Sequence, residues 1–344
     1  MSSSSRVPSR RGLLLGVAGA GAGVALGAAG AGQAAEGAGV PPVVLTEQAS
    51  KRILVLDPAK DVWDPGADPG AVRWAFSPVG DGRYRDLEPE VSWVYPSEAK
   101  VRRHRGRTFL LTTASFGFVG VVEWPGGRRY WGTAIGAGDD LFNPHTAEIL
   151  PDGNVAVACS TGARVRLYAA SLGPRATRFT EAELKGAHGL HWDRERRVLW
   201  AMGDDELVAF EVAGTAARPR LVRRFADPLP VATPGKSAGG HDLFPVAGRP
   251  GRAGRMWVTT SASVFQYEPR GRTFVQDFAG AGEIVRKGVK CVGNDPRTGR
   301  VVTTVPEAGL GETWWTTTVS VHRPQGAYKL VGGGIYKARW WLPA

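Results

Sequence analysis

His145, His188 and His241 each open the same local pattern, a basic residue followed by a polar or glycine-containing turn and then an apolar run. Lys100 and Lys290 open two more copies, and the five leading residues follow one another at intervals of 45, 43, 53 and 49. Lys337 comes 47 residues after Lys290, within a last apolar run, so half of the chain's six histidines share one repeat position with three lysines. Three imidazoles brought to a point suit a divalent metal such as Mn, Zn or Fe and leave positions for water or substrate. One imidazole near its ordinary pKa could instead act as a general acid or base. Lysines beside imidazoles could equally grip a carboxylate, sulfate or phosphate. The lysines weigh against a highly charged metal at the centre, and no HExxH-type signature occurs, so residue types leave all three readings open. Acid separates two of them: metal binding should fall below about pH 6 as imidazoles protonate, whereas anion binding should strengthen there.

These residues can meet only if the repeat brings them together. From about Val43 onward, short β-rich runs alternate with Gly/Pro/Asp turns, with no long helical periodicity. Units of 43 to 53 residues are the size of a four-stranded propeller blade. The leading residues head Thr108–Thr112, Val155–Ala158, Arg197–Ala201, Arg255–Thr259 and Arg300–Thr304. The chain ends supply a sixth blade: Ile335–Trp340 joins Val43–Thr46, Arg52–Leu56 and Val72–Phe76, and closing the ring this way removes free sheet edges. The interval 77–97 is too short for a seventh. The expected fold is an all-β, six-bladed β-propeller over 43–344, closed by pairing of N- and C-terminal strands in one blade. In a propeller the first strand of each blade lines the axis, so Lys100, His145, His188, His241, Lys290 and Lys337 should ring one mouth.

The ends of the second strands should border the same mouth, adding Glu47, Gln48, Ser115, Thr161, Asp204, Asp205, Ser261 and Glu307, with Glu98 and Glu148 close in sequence to ring residues. An enzyme of this design would take its acid from Glu98, Asp204 or Glu307. Among twelve tryptophans, Trp200, Trp257 and Trp340 alternate within strands and read as blade packing, whereas Trp314, in a loop-like stretch beside Trp315, is a candidate ligand contact. His104, His191 and His322 read as surface or packing residues. Cys159 and Cys291 lie in apolar runs and read as buried small hydrophobes, with a single bridge left open.

The N-terminus carries Arg10-Arg11, then Leu13-Leu14-Leu15, a Gly/Ala-rich run and a small-residue stretch before Glu36. Residues 1–35 therefore read as a twin-arginine signal, 36–42 as a short linker, and the mature chain as secreted, with no membrane attachment after signal removal. The formal charge of +11 includes Arg6, Arg10 and Arg11 of that segment, which leaves about +8 and an attraction to anions. The basic residues are dispersed, apart from Arg102 to Arg107, and form no nucleic-acid module or phosphate loop, so nucleic acid is not the expected partner. The expected partner is an acidic glycan or other small anion, bound by a monomer.

Asn143-Pro144-His145-Thr146-Ala147-Glu148, Gly186-Ala187-His188-Gly189-Leu190-His191-Trp192-Asp193, Gly239-Gly240-His241-Asp242-Leu243-Phe244-Pro245 and Tyr336-Lys337-Ala338-Arg339-Trp340 together resemble a family of secreted bacterial six-bladed propellers of unknown function. That resemblance implies fold and export and no activity. A looser, fold-level likeness is to oligogalacturonate lyases, propellers in which axial histidines and a glutamine hold a metal beside a uronate. It implies that His145, His188 and His241 would play the histidine part and Gln48 the amide. The function expected is recognition, with or without cleavage, of an acidic ligand at the axis. A metal-dependent lyase or hydrolase and a non-catalytic protein-binding scaffold are the alternatives.

Overall fold

The computed structural model describes residues 39–248 and 254–343. The segment read as the export signal, 1–35, lies outside the described residues. Strands β1 (Val43–Glu47), β2 (Arg52–Leu56), β3 (Val62–Trp63) and β4 (Val72–Phe76) open the chain. Blade 2 is β5 (Pro96–His104), β6 (Arg107–Ala114), β7 (Phe118–Glu123) and β8 (Arg128–Ala134); blade 3 is β9 (Pro144–Ile149), β10 (Val155–Cys159), β11 (Arg164–Tyr168) and β12 (Phe179–Glu183). Blade 4 is β13 (Gly189–Asp193), β14 (Val198–Met202), β15 (Glu206–Thr215) and β16 (Arg218–Pro228); blade 5 is β17 (Gly240–Pro245), β18 (Met256–Thr260), β19 (Val264–Glu268) and β20 (Thr273–Val275). Blade 6 is β21 (Cys291–Asn294), β22 (Val301–Thr304), β23 (Thr318–His322) and β24 (Gly326–Leu330), with β3 added in parallel on its outer edge. Blade 1 has the order β25 (Ile335–Trp340), β1, β2, β4.

The protein is thus an all-β, six-bladed propeller, closed as the chain ends predict, with Val43 opposite Trp340, Val44 opposite Arg339 and Leu45 opposite Ala338. Each innermost strand touches the next around the ring, from β25 through β5, β9, β13, β17 and β21 back to β25. Six apolar clusters, one between each pair of neighbouring blades, form the core. Trp200, Trp257 and Trp340 are buried in them, as their alternation implied. Trp63 of β3 stacks on Tyr328 with ring centroids 4.7 Å apart, so this two-residue strand covers the edge of blade 6. In the interval too short for a blade, Tyr84, Leu87 and Trp93 pack between blades 1 and 2. Cys159 and Cys291 are both buried and free. Among the described residues, no helix is long and apolar enough to cross a membrane.

Candidate functional site at the propeller mouth

In the six innermost strands, Ala99, Ala147, Leu190, Leu243, Val292 and Ala338 occupy matching buried, blade-facing positions. Side chains alternate across a strand, so the residues just before and just after these face the axis. Two residues before them the ladder carries an extra residue in β5, β9, β17 and β25, where the pairing register shifts. Such a bulge re-aims a side chain at the start of a strand. The residues at this position are Ser97, His145, His188, His241, Lys290 and Tyr336, and they form the mouth.

Around it, the His145 and His188 rings lie 4.2 Å apart and 31° from parallel, and His188 meets His241 edge to face at 5.6 Å. Lys290 Nζ donates to His241 Nε2 at 3.3 Å. His145 and Tyr336 stand 6.1 Å apart, with only Ser97 between them around the ring. His188 Nδ1 donates to the Gly186 carbonyl at 2.8 Å, which fixes its tautomer and leaves the lone pair on Nε2. Burial, reinforced by the charges of Lys337 and Lys290, pushes His188 down to about 4, although the Gly186 bond pulls the other way. Burial and Lys290 push His241 down to about 3, and burial and His188 push His145 well below its ordinary value. The three imidazoles are therefore neutral at pH 7. Burial raises Tyr336 to about 12, so its phenol keeps its proton. Lys290 is lowered by burial and by the charge of Lys337, and among the described residues no carboxylate pairs with it.

Beneath the mouth the axis is plugged. Glu98, Thr146, Asp242, Cys291 and Lys337 form a second layer; Lys100, Glu148, His191, Phe244 and Arg339 form a third. Arg339, from blade 1, donates to Glu98 of blade 2 at 3.1 and 3.2 Å and to Asp242 of blade 5, across the ring, at 2.7 and 3.1 Å. Its guanidinium also lies 4.0 Å from the centre of the Phe244 ring. Lys337 Nζ reaches Asp242 at 3.2 Å and Glu98 at 3.7 Å. Lys100 Nζ donates to the Leu190 carbonyl across the channel, and Arg102 makes a two-bonded pair with Glu148. Burial alone would raise Glu98 and Asp242, but Arg339 and Lys337 outweigh it and hold both carboxyls below the usual range. The same acids raise Lys337 against the effect of burial. Lys100, farther from its carboxylates at 3.8 and 4.0 Å, is lowered by burial to about 8.

The structure brings together four of the six residues expected at the mouth: His145, His188, His241 and Lys290. Lys100 and Lys337 do not stand there. Lys100 lies three residues further along β5 than His145 along β9, and Lys337 one residue too far along β25, so Ser97 and Tyr336 take their places. His191 is not a surface or packing residue; it faces the axis near Glu148, Arg102 and Lys100, and burial lowers it to about 4. Glu98 and Glu148 are committed to buried ion pairs, and Glu98 also accepts from Thr146. Glu307 accepts bonds from Thr316 and Thr317 and holds its own loop.

Asp204 packs so close to Gly186 that a Cβ there would lie 1.9 Å from its carboxylate, and it pairs with exposed Lys185. Ser115, Thr161 and Ser261 likewise border the turns leading into the mouth, bonding to Tyr95, Asn143 and Gly239. The Gln48 amide is already engaged: its carbonyl accepts from the indoles of Trp314 and Trp315, and its nitrogen donates to Pro96 O. Among the described residues no group of three or more His, Cys, Asp or Glu side chains is set to hold a metal ion. Two of the ring nitrogens are already engaged, His188 Nδ1 by the Gly186 carbonyl and His241 Nε2 by Lys290.

Fold and site define a six-bladed propeller whose axis is filled by buried ion pairs, with three neutral imidazoles at one end of it beside Lys290, an ammonium without a carboxylate partner among the described residues. The chain belongs to DUF6528, a family of unknown function whose model matches residues 43–344. No curated protein sequence matches it. Its structure is similar to that of a protein of unknown function from Bacteroides caccae, with 14% identity, a TM-score of 0.51, and coverage of 88% of this chain and 98% of that one. At that identity the likeness is one of fold alone. A catalytically inactive virginiamycin B lyase from Staphylococcus aureus, solved with quinupristin, aligns with a TM-score of 0.46 at 9% identity over 86% of each chain.

Proposed function

We propose that the protein recognises an acidic ligand outside the cell, and that its mouth holds the anionic group of an acidic, uronate-bearing glycan. Lys290 carries this reading. It is a partly buried ammonium, without a carboxylate partner among the described residues, beside imidazoles that are neutral at pH 7. Counting the second and third layers with Arg102, four cations (Lys100, Arg102, Lys337, Arg339) face three carboxylates (Glu98, Glu148, Asp242), and Lys290 adds to that surplus. A bound anion would supply the missing charge. Because the axis is plugged, the ligand must enter from one face and present a terminal group. The choice of a uronate rests on the likeness to oligogalacturonate lyases. Cleavage is the second reading, favoured by the fixed tautomer of His188, whose Nε2 lone pair is a proton acceptor beside an ammonium.

Calorimetric titration with sulfate and with trigalacturonate, each with and without chelator, tests this. Lys290→Met should weaken both ligands about ten- to a hundredfold, the loss of a charged hydrogen bond, and chelator should have no effect. Because His188 stays neutral down to about pH 4, sulfate affinity should be level from pH 8 to 5 and rise only toward pH 4. Wild-type affinity in Lys290→Met, or collapse of binding on adding chelator, would sink the proposal. Export through the twin-arginine route belongs to the same reading: the secreted chain should begin near Ala35 or Glu36. Replacing Arg10 and Arg11 by Lys should abolish secretion, and undiminished protein in the supernatant would exclude that route.

A further inference from the structure

Two residues before each mouth residue of blades 2 to 6 the backbone is left-handed, with φ of 56° at Tyr95, 49° at Asn143, 61° at Gly186, 60° at Gly239 and 74° at Gly288. Glycine and asparagine are the residues that tolerate this conformation, so a tyrosine here is strained where its counterparts are not. A side chain kept at a strained position points to a use for that side chain. Tyr95 meets Trp314 edge to face at 5.6 Å and Phe116 at 5.9 Å, and its hydroxyl donates to Glu312 Oε1. All four residues are half-buried. Trp314 is held from behind, its indole N–H bonded to Gln48 at 2.9 Å, and Gln48 in turn bonds Pro96 O, next to the mouth residue Ser97. Trp315 is the anchor of this loop and not a platform: it lies so close to Gly334 that a Cβ there would come within 2.7 Å of its ring.

Resting on the anionic mouth proposed above, we infer that Tyr95, Trp314 and Phe116 form a second subsite that takes the flat face of a pyranose ring attached to the anionic group. The chemistry matches a sugar. The rigid aromatic faces suit its axial C–H groups, and Glu312, whose Oε2 bonds nothing among the described residues, offers an acceptor for ring hydroxyls.

The test titrates sulfate, which has charge and no ring, and acidic trisaccharides built on galacturonate, glucuronate or mannuronate, against wild-type protein, Trp314→Ala, Tyr95→Asn and Lys290→Met. Tyr95→Asn installs the residue that blade 3 uses at this position, so it should fold, as its melting transition will show. Trp314→Ala and Tyr95→Asn should each weaken the best trisaccharide about tenfold and leave sulfate affinity unchanged. Trisaccharide binding at wild-type strength in both variants, or an equal loss of sulfate, would overturn the subsite. So would wild-type protein that binds sulfate and none of the trisaccharides. If Trp314→Ala weakens the trisaccharide and Lys290→Met does not, the aromatic subsite stands and the anionic mouth falls.

Discussion

Removing residues 335–344 should abolish the cooperative unfolding transition of the propeller. The deletion takes away β25, whose Ile335, Ala338 and Trp340 pack between blades 1 and 6, and exposes the ladder of β1 along Val43 to Glu47. It also removes Lys337 and Arg339, the cations that hold Glu98 and Asp242 across the axis. Leaving a buried charge without its partner costs roughly 3–5 kcal/mol, and burying a large apolar side chain contributes about 1.5–3 kcal/mol. With Asp242 left without a cation, Glu98 left with Lys100 alone at 3.8 Å, and two large apolar side chains, Ile335 and Trp340, lost, the total rivals the roughly 5–15 kcal/mol that typically separates folded from unfolded domains, as an order of magnitude. Urea titration followed by tryptophan fluorescence, with calorimetry of the same protein, measures this directly. A truncated chain that melts in one sharp transition at the wild-type midpoint would show that the ring does not depend on this closure.

The blade count and the closing strand were legible because they depend on spacing and on apolar alternation, both local properties. Arg52–Leu56 and Val72–Phe76 coincide with strands in the structure, and Ile335–Trp340 pairs with β1. The register at the mouth was harder to read. Nothing in Glu98-Ala99-Lys100-Val101-Arg102 marks its charges as buried, because the partners that hold them are distant in sequence, such as Arg339, 241 positions from Glu98. Taking Lys100 as the counterpart of His145 follows from residue type; taking Ser97 follows from counting two residues back from the matching blade-facing residue, Ala99, which needs the bulge to be known. The same blindness hid Arg339, Asp242 and His191 as axial groups. Glu307 and Gln48, read as mouth residues, instead hold loops, a role set by backbone hydrogen bonds that no spacing reveals.

Stability should fall steeply between pH 6.5 and about 4, with the histidines responding before the carboxylates. In the unfolded chain an imidazole titrates near 6.5, whereas burial holds His188 and His191 at about 4, His241 at about 3, and His145 well below its ordinary value. Across that window the unfolded state binds protons that the folded state refuses, so acid favours unfolding. Glu98, Glu148 and Asp242, depressed by their cationic partners, stabilise the fold above the unfolded carboxylate range and lose that contribution as pH falls further. Both groups act in the same direction. Uptake of two protons alone gives a slope of about 3 kcal/mol per pH unit, enough to move a urea midpoint by about 1 M per unit. Urea titrations at half-unit steps from pH 7 to 4 read the slope, and a flat midpoint down to pH 5 would mean that the imidazoles are not buried as described. Sulfate joins this measurement to the site: an anion seated against protonated imidazoles binds the acid form preferentially, so it should restore part of the lost stability near pH 4.5 and add less at pH 7. In Lys290→Met that rescue should shrink, because the mouth then lacks its permanent charge.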